Sequence, residues 1–175
     1  MSEKYRTYNG GLFFVTLTVV GWIDVFTRRA NAEELLANLN FCIKQKGMHV
    51  YAFCLMPSHL HMICIAEGDL GPILRDFKSY TSKQIIKLIE QNPEESRKEW
   101  LLHLFRYFGR MNKHNSEFQF WQQHNHPIDL TDTAMLIQKQ EYIHMNPVVA
   151  GLVTEPQYYN YSSANWECGV SLAEM

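Results

Sequence analysis

The residues best equipped for chemistry are His59 and His61, with Tyr142 and Asn146 further along the chain. On a strand, alternate side chains share a face, so a His-x-His step aims both imidazoles one way while Leu60 and Met62 point to the other. Two neighbouring imidazoles can grip one divalent ion. The step alone selects little: with eight histidines in 175 residues, chance gives about 0.4 such pairs. A second pair, His124-Asn125-His126, is indeed present and is followed by Pro127. Tyr142 and Asn146 are four residues apart, which places them on one helix face, with Gln138 one turn earlier. A phenol with a pKa of about 10 is a poor nucleophile at pH 7 unless activated. A metal held by two histidines and a third side chain could polarise a phosphate beside it. The plainer alternatives are two half-exposed strand histidines, a helix aromatic packed on a sheet, and an Asn146 that merely caps a helix before Pro147.

The elements that must position these groups can be read from periodicity. Residues 12–20 are β-branched and aromatic and predict a first strand. Asn31, with Glu34 three residues on, predicts a helix start of the capping-box kind, and Gly47 its stop. Residues 48–56 and 60–66 predict a hairpin about Pro57-Ser58. Helices are expected at about 70–90 and 94–108, separated by Asn92-Pro93. A last strand is expected around 120–128, and a final helix capped by Thr131 or Asp132 should run to about 145. This order suits a ferredoxin-like α+β layer, an antiparallel or mixed sheet with helices packed on one face. The polar stretch 112–125 is expected to be the mobile part.

Composition sets the frame. The length fits a single domain, 1–175, with a variable helical and loop insertion at about 92–118. Hydrophobic residues make up 46% and charged residues 19%, an ordinary globular balance. No apolar run reaches membrane-spanning length, and residues 1–9 lack the apolar core of a signal peptide. Four cysteines without framework spacing predict a reduced, cytoplasmic protein. The net charge of −2 argues against extensive duplex binding, which needs many phosphate contacts. It leaves room for a single strand or hairpin held by a local basic face and stacking aromatics.

Two stretches carry a family resemblance. Tyr51-Ala52-Phe53-Cys54-Leu55-Met56-Pro57-Ser58-His59-Leu60-His61-Met62-Ile63 resembles the signature hairpin of the HUH endonucleases, and more narrowly that of single-tyrosine transposases from small bacterial insertion sequences. Tyr142-Ile143-His144-Met145-Asn146-Pro147-Val148-Val149-Ala150-Gly151-Leu152-Val153 is similar to the matching stretch of REP-associated tyrosine transposases, with Pro156, Tyr159, Ser162 and Ser163 in its tail. The resemblance implies an HUH nuclease fold and a DNA transposase that cuts and rejoins single-stranded DNA near hairpins. Tyr142 would be the nucleophile, forming a 5′-phosphotyrosine bond. His59, His61 and Asn146 would hold magnesium or manganese; insertion-sequence relatives carry glutamine where Asn146 stands, the REP-associated branch carries asparagine there, and Gln138 is the reserve ligand. It further implies a bacterial, nucleoid-associated protein and allows a homodimer. A domesticated, catalytically silent hairpin-binding protein is the main rival.

Contacts to DNA phosphates are expected from Arg75, Lys78, Lys83 and Lys87, which share a helix face opposite Leu74, Phe77, Ile85 and Leu88. Trp121, with Phe118 and Phe120, is a candidate for base stacking. Arg106, Tyr107 and Arg110 form a smaller candidate patch. Cys54 and Cys64 flank the histidine pair, but Cys64 has the opposite strand parity, which disfavours structural zinc.

Overall fold

A computed structural model describes residues 7–112 and 117–174. It is an α+β fold built on one antiparallel sheet. Strands β1 (Phe13–Thr18), β2 (Met48–Met56), β3 (His59–Ala66) and β4 (Ile128–Asp129) pair in the order β2-β3-β1-β4. The described helices are α1 (Arg29–Gln45), α2 (Leu70–Gln91), α3 (Lys98–Met111) and α4 (Thr133–Val149). None of them is long and apolar enough to cross a membrane.

The helices do not all lie on one face. Phe13, Val15, Leu17, Leu60, Met62 and Cys64 pack against Leu35 and Leu39 of α1 and Leu74, Phe77 and Ile85 of α2. Residues of the other parity, Phe14, Ala52, Cys54, Met56 and Ile63, form a smaller cluster with Ile143 of α4. The physical reason is legible in β2, where Ala52, Phe53, Cys54, Leu55 and Met56 are all buried. A continuous apolar run belongs to a strand covered on both sides, so a second layer has to exist. Ile143 is fully buried, and removing its side chain from water stabilises the docking of α4 by about 1.5–3 kcal/mol.

Other boundaries differ for identifiable reasons. Helix α1 starts at Arg29 without a side-chain cap; Asn31 is buried and donates from Nδ2 to Val25 O (3.0 Å), so it satisfies a buried carbonyl instead of capping. Helix α3 begins late because the Glu95 carboxylate accepts from the Arg97 backbone N–H and from Arg28, holding the chain in turns. The expected strand at 120–128 shrinks to an isolated Val19–Trp121 bridge and the two residues of β4; His126, at φ 42°, breaks the extended path between them. Asp132 caps α4 by accepting from Met135 N, but the helix continues through Pro147 and ends at Gly151 (φ 71°). Proline lacks only one helical bond in the last turn, and Gly151 provides the left-handed stop. The expected mobility of 112–125 falls partly on 113–116, outside the described residues. The remainder is fastened: Gln119 N donates to Phe105 O, Gln122 N to Thr18 O, and Phe120 O accepts from Val20 N.

Beyond α4 the chain runs back along the outer edge of β2. Leu55 N donates to Tyr161 O, Ser163 N to Phe53 O, and Ala173 N to Val50 O. The Tyr159 hydroxyl donates to Leu55 O.

Candidate active site at the histidine hairpin

The hairpin that presents the histidines has a two-residue turn, Pro57-Ser58. Such turns usually need positive φ, which proline cannot adopt and Ser58 does not adopt. Outside contacts hold it: Phe26 N donates to Pro57 O and Val19 N to Ser58 O, both at 2.9 Å. Strand β3 therefore leaves the turn in a fixed register. His59 lies opposite Met56 and Thr18, and His61 opposite Cys54 and Thr16.

The two imidazoles meet at 4.6 Å between ring centroids. Tyr142 of α4 is edge-on to His61 at 5.3 Å, within the same chain, and is half exposed. Phe14 stacks on His61 from β1 and touches Tyr142. Hydroxyls engage both Nδ1 atoms, Thr16 Oγ1 at 2.9 Å from His61 and Ser58 Oγ at 3.1 Å from His59. His61 Nε2 is buried without a hydrogen-bond partner. An orphaned buried nitrogen is costly, and the arrangement fits a metal ligand whose Nδ1–H is held by a second residue and whose Nε2 lone pair points into the site. Burial lowers the His59 pKa to about 4. Burial, then the charges of His59 and Lys139, lower that of His61 to about 3. Both rings are therefore neutral at physiological pH, the form that binds metal.

Asn146 is partly buried one turn beyond Tyr142. Its Nδ2 donates a long 3.4 Å bond to Tyr142 O. It lies within α4, whose C-cap is Ala150, so it is not the cap. Gln138 is exposed one turn before Tyr142. Among the described residues no three His, Cys, Asp or Glu side chains converge. Cys54 and Cys64 are buried and burial raises their thiol pKa values; Cys64 belongs to the opposite core, as its parity requires.

Sequence reasoning overlooks Lys139, whose Nζ lies 4.9 Å from the Phe14 ring centre and 5.6 Å from that of Tyr142. No carboxylate of a described residue pairs with it. Its i−3 spacing from Tyr142 is the signal that could have found it. Thr16 is a different case, because only the strand register brings it to His61.

Helix α2 packs on the far face of the sheet, so its cations are not brought to the histidines. Lys83 and Lys87 are exposed and line a groove with Phe118, whereas Arg75 pairs with its neighbour Asp76. Lys78 turns inward: its Nζ donates to Gln122 O (2.6 Å), Gln123 O (3.3 Å) and Asn125 Oδ1 (2.7 Å). Trp121 is a core residue, stacked on Phe26 with its indole N–H donating to Thr81, and offers no free face to a base. Phe118 lies under Arg106, while Tyr107 is exposed against Phe108.

No protein-family model and no curated protein sequence matches the chain. Among solved structures it is similar to a REP-associated tyrosine transposase bound to a REP hairpin, with a TM-score of 0.68 and 18% identity over 99% of this chain and 89% of that one. At that identity the likeness is one of fold: the α+β architecture of that transposase is the architecture found here.

Proposed function

We propose that this protein is a metal-dependent single-strand DNA endonuclease and strand transferase of the transposase type, acting beside hairpins through Tyr142. The observation that carries the reading is the meeting, in one chain, of Tyr142 with a His61 whose buried Nε2 has no partner. The hairpin held by the solved transposase supports DNA of that form as the partner. The whole chain would act as one nuclease domain, in the cytoplasm of a bacterium; the contact of Tyr142 with His61 within one chain supports a site completed in cis, with a homodimer as an optional assembly.

His59, His61 and Asn146 would hold a divalent ion, magnesium or manganese, which when bound withdraws charge from the phosphate. The chain's own residues do the rest. Phe14 and the hairpin orient the imidazoles, and α4 carries Tyr142 to the same side. The Tyr142 oxygen forms a bond to phosphorus and its proton passes to water. The bond from phosphorus to the 3′ oxygen breaks, and that oxygen takes up a proton as a 3′-hydroxyl. Lys139 would offset phosphate charge beside the nucleophile. The reverse step, with a different 3′-hydroxyl, rejoins strands without ATP. Lys83 and Lys87, with Arg75 once freed from Asp76, would contact flanking phosphates. Lys78 and Trp121 would serve by holding 117–125 in place.

The test is incubation of a labelled hairpin bearing a single-stranded flank with protein and manganese, followed by a denaturing gel. Wild type should give a covalent adduct. Tyr142→Phe should give none, yet bind the hairpin and keep its stability within about 0.5 kcal/mol, because one exposed oxygen is removed. An adduct surviving in the variant removes Tyr142 from the mechanism. Binding without any adduct in wild type selects the silent hairpin-binding protein.

A further inference from the structure

Trp22 is 61% exposed at a backbone φ of 55°. A left-handed conformation is an outlier for a bulky residue and persists only where its surroundings enforce it. Here they do. Val20 is buried and its N–H donates to Phe120 O. At Gly21 (φ 61°) the Phe108 ring would lie 2.9 Å from an added Cβ. Trp22 N donates to Val19 O. The turn is thus fixed from below while the indole projects into solvent, where its apolar surface gains nothing for folding. Among the described residues its ring contact is with the candidate site: the indole meets His59 edge-on, at 5.2 Å and 76°. Tyr142, His61, His59 and Trp22 form a file of rings at successive spacings of 5.3, 4.6 and 5.2 Å.

We propose that Trp22 is the stacking platform for the nucleobase next to the phosphate addressed by His59 and His61. The inference rests on the DNA reading above and adds a base-binding position to it. A strand whose phosphate lies at the histidines brings the adjoining base to the end of the ring file, where the indole face is free. Stacking on an aromatic ring tolerates any base, because every base has a π face. It also suits a chain with little net positive charge, since part of the affinity then comes from bases instead of phosphates.

The experiment compares binding of oligo(dT) and of an abasic oligomer of equal length to wild type, Trp22→Ala and Trp22→Phe, with manganese affinity and melting temperature measured alongside. Wild type should prefer oligo(dT). Trp22→Ala should lose roughly tenfold in affinity for oligo(dT) and little for the abasic strand. Trp22→Phe should retain most of the preference, and manganese affinity should stay unchanged. The ratio of the two affinities is an internal control should alanine lower the melting temperature. An unchanged ratio in Trp22→Ala overturns the platform. So does equal weakening on both strands with weakened manganese binding, which would make Trp22 a positioning residue for His59. Wild type that binds neither strand overturns the platform; if it also fails to bind the labelled hairpin, the DNA reading falls with it, whereas a hairpin bound without a covalent adduct overturns catalysis alone.

Discussion

Thr16 and His61 face each other across β1 and β3, and a 2.9 Å hydrogen bond joins the threonine hydroxyl to His61 Nδ1. This bond selects both the rotation of the ring and which nitrogen faces the site. Thr16→Val keeps the shape and removes the bond. Manganese affinity, measured by calorimetry, should fall by about 10–100-fold, with a stability change of about 1 kcal/mol. Undiminished affinity would show that packing on Phe14 suffices to orient the ring.

Lys139 places a positive charge beside Tyr142 and Phe14, next to proposed metal ligands that carry none of their own. In the absence of DNA it should repel the ion, and with a phosphate present it should help to neutralise the charge. Lys139→Met is therefore expected to bind manganese several-fold more tightly without DNA, yet cleave about a hundredfold more slowly. Weaker manganese binding in this variant would contradict the electrostatic role.

The histidines also make stability depend on pH. Their folded pKa values, about 4 and 3, lie below the ordinary value of 6.5, so the unfolded chain binds more protons as pH falls below 6.5. Stability from this source is complete above that pH and is lost toward pH 4 and below, with a slope on the order of 1 kcal/mol per pH unit. Urea denaturation at pH 7 and pH 5 should show the loss in wild type and much less of it in the double variant His59→Asn, His61→Asn. Glu95, held down to about 2 mainly by its hydrogen bond from Arg28, adds a separate loss below pH 4.5 in both proteins. Equal slopes between pH 7 and 5 would dismiss the histidines as its source.

On α2 the cations should divide into two kinds. Lys83→Ala with Lys87→Ala should weaken hairpin binding and flatten its salt dependence, by roughly 0.7 in log–log slope for each single-strand phosphate left unneutralised. Lys78→Ala should instead lower stability, because three oxygen acceptors are deprived of their donor. An unaltered slope in the double variant would return this helix face to ordinary solvent duty.

The hairpin, α2 and the common face of His59 and His61 are legible in the sequence because each depends on local parity or helical period. Asp132 likewise caps its helix as short-range chemistry dictates. What escapes depends on distant partners. Asn31 reads as a cap because its buried carbonyl partner at Val25 precedes the helix in a 3-10 turn that no periodicity announces. Trp121 reads as a stacking surface because nothing local distinguishes an indole in the core from one facing solvent. Trp22 gives no signal at all, since the turn that carries it includes Gly21, where the ring of Phe108, a residue of α3 far along the chain, leaves no room for a side chain.

The return of the C-terminal segment along β2 has a consequence for solubility. An uncovered outer strand is a template on which other chains can pair, and β2 is long and apolar on both faces. Residues 161–173 occupy its free donors and acceptors at Val50, Phe53 and Leu55, while the opposite margin of the sheet is only the two residues of β4. The tail therefore takes these backbone groups out of reach of other chains, and a chain ending before Tyr161 would leave those of Val50, Phe53 and Leu55 open to pairing.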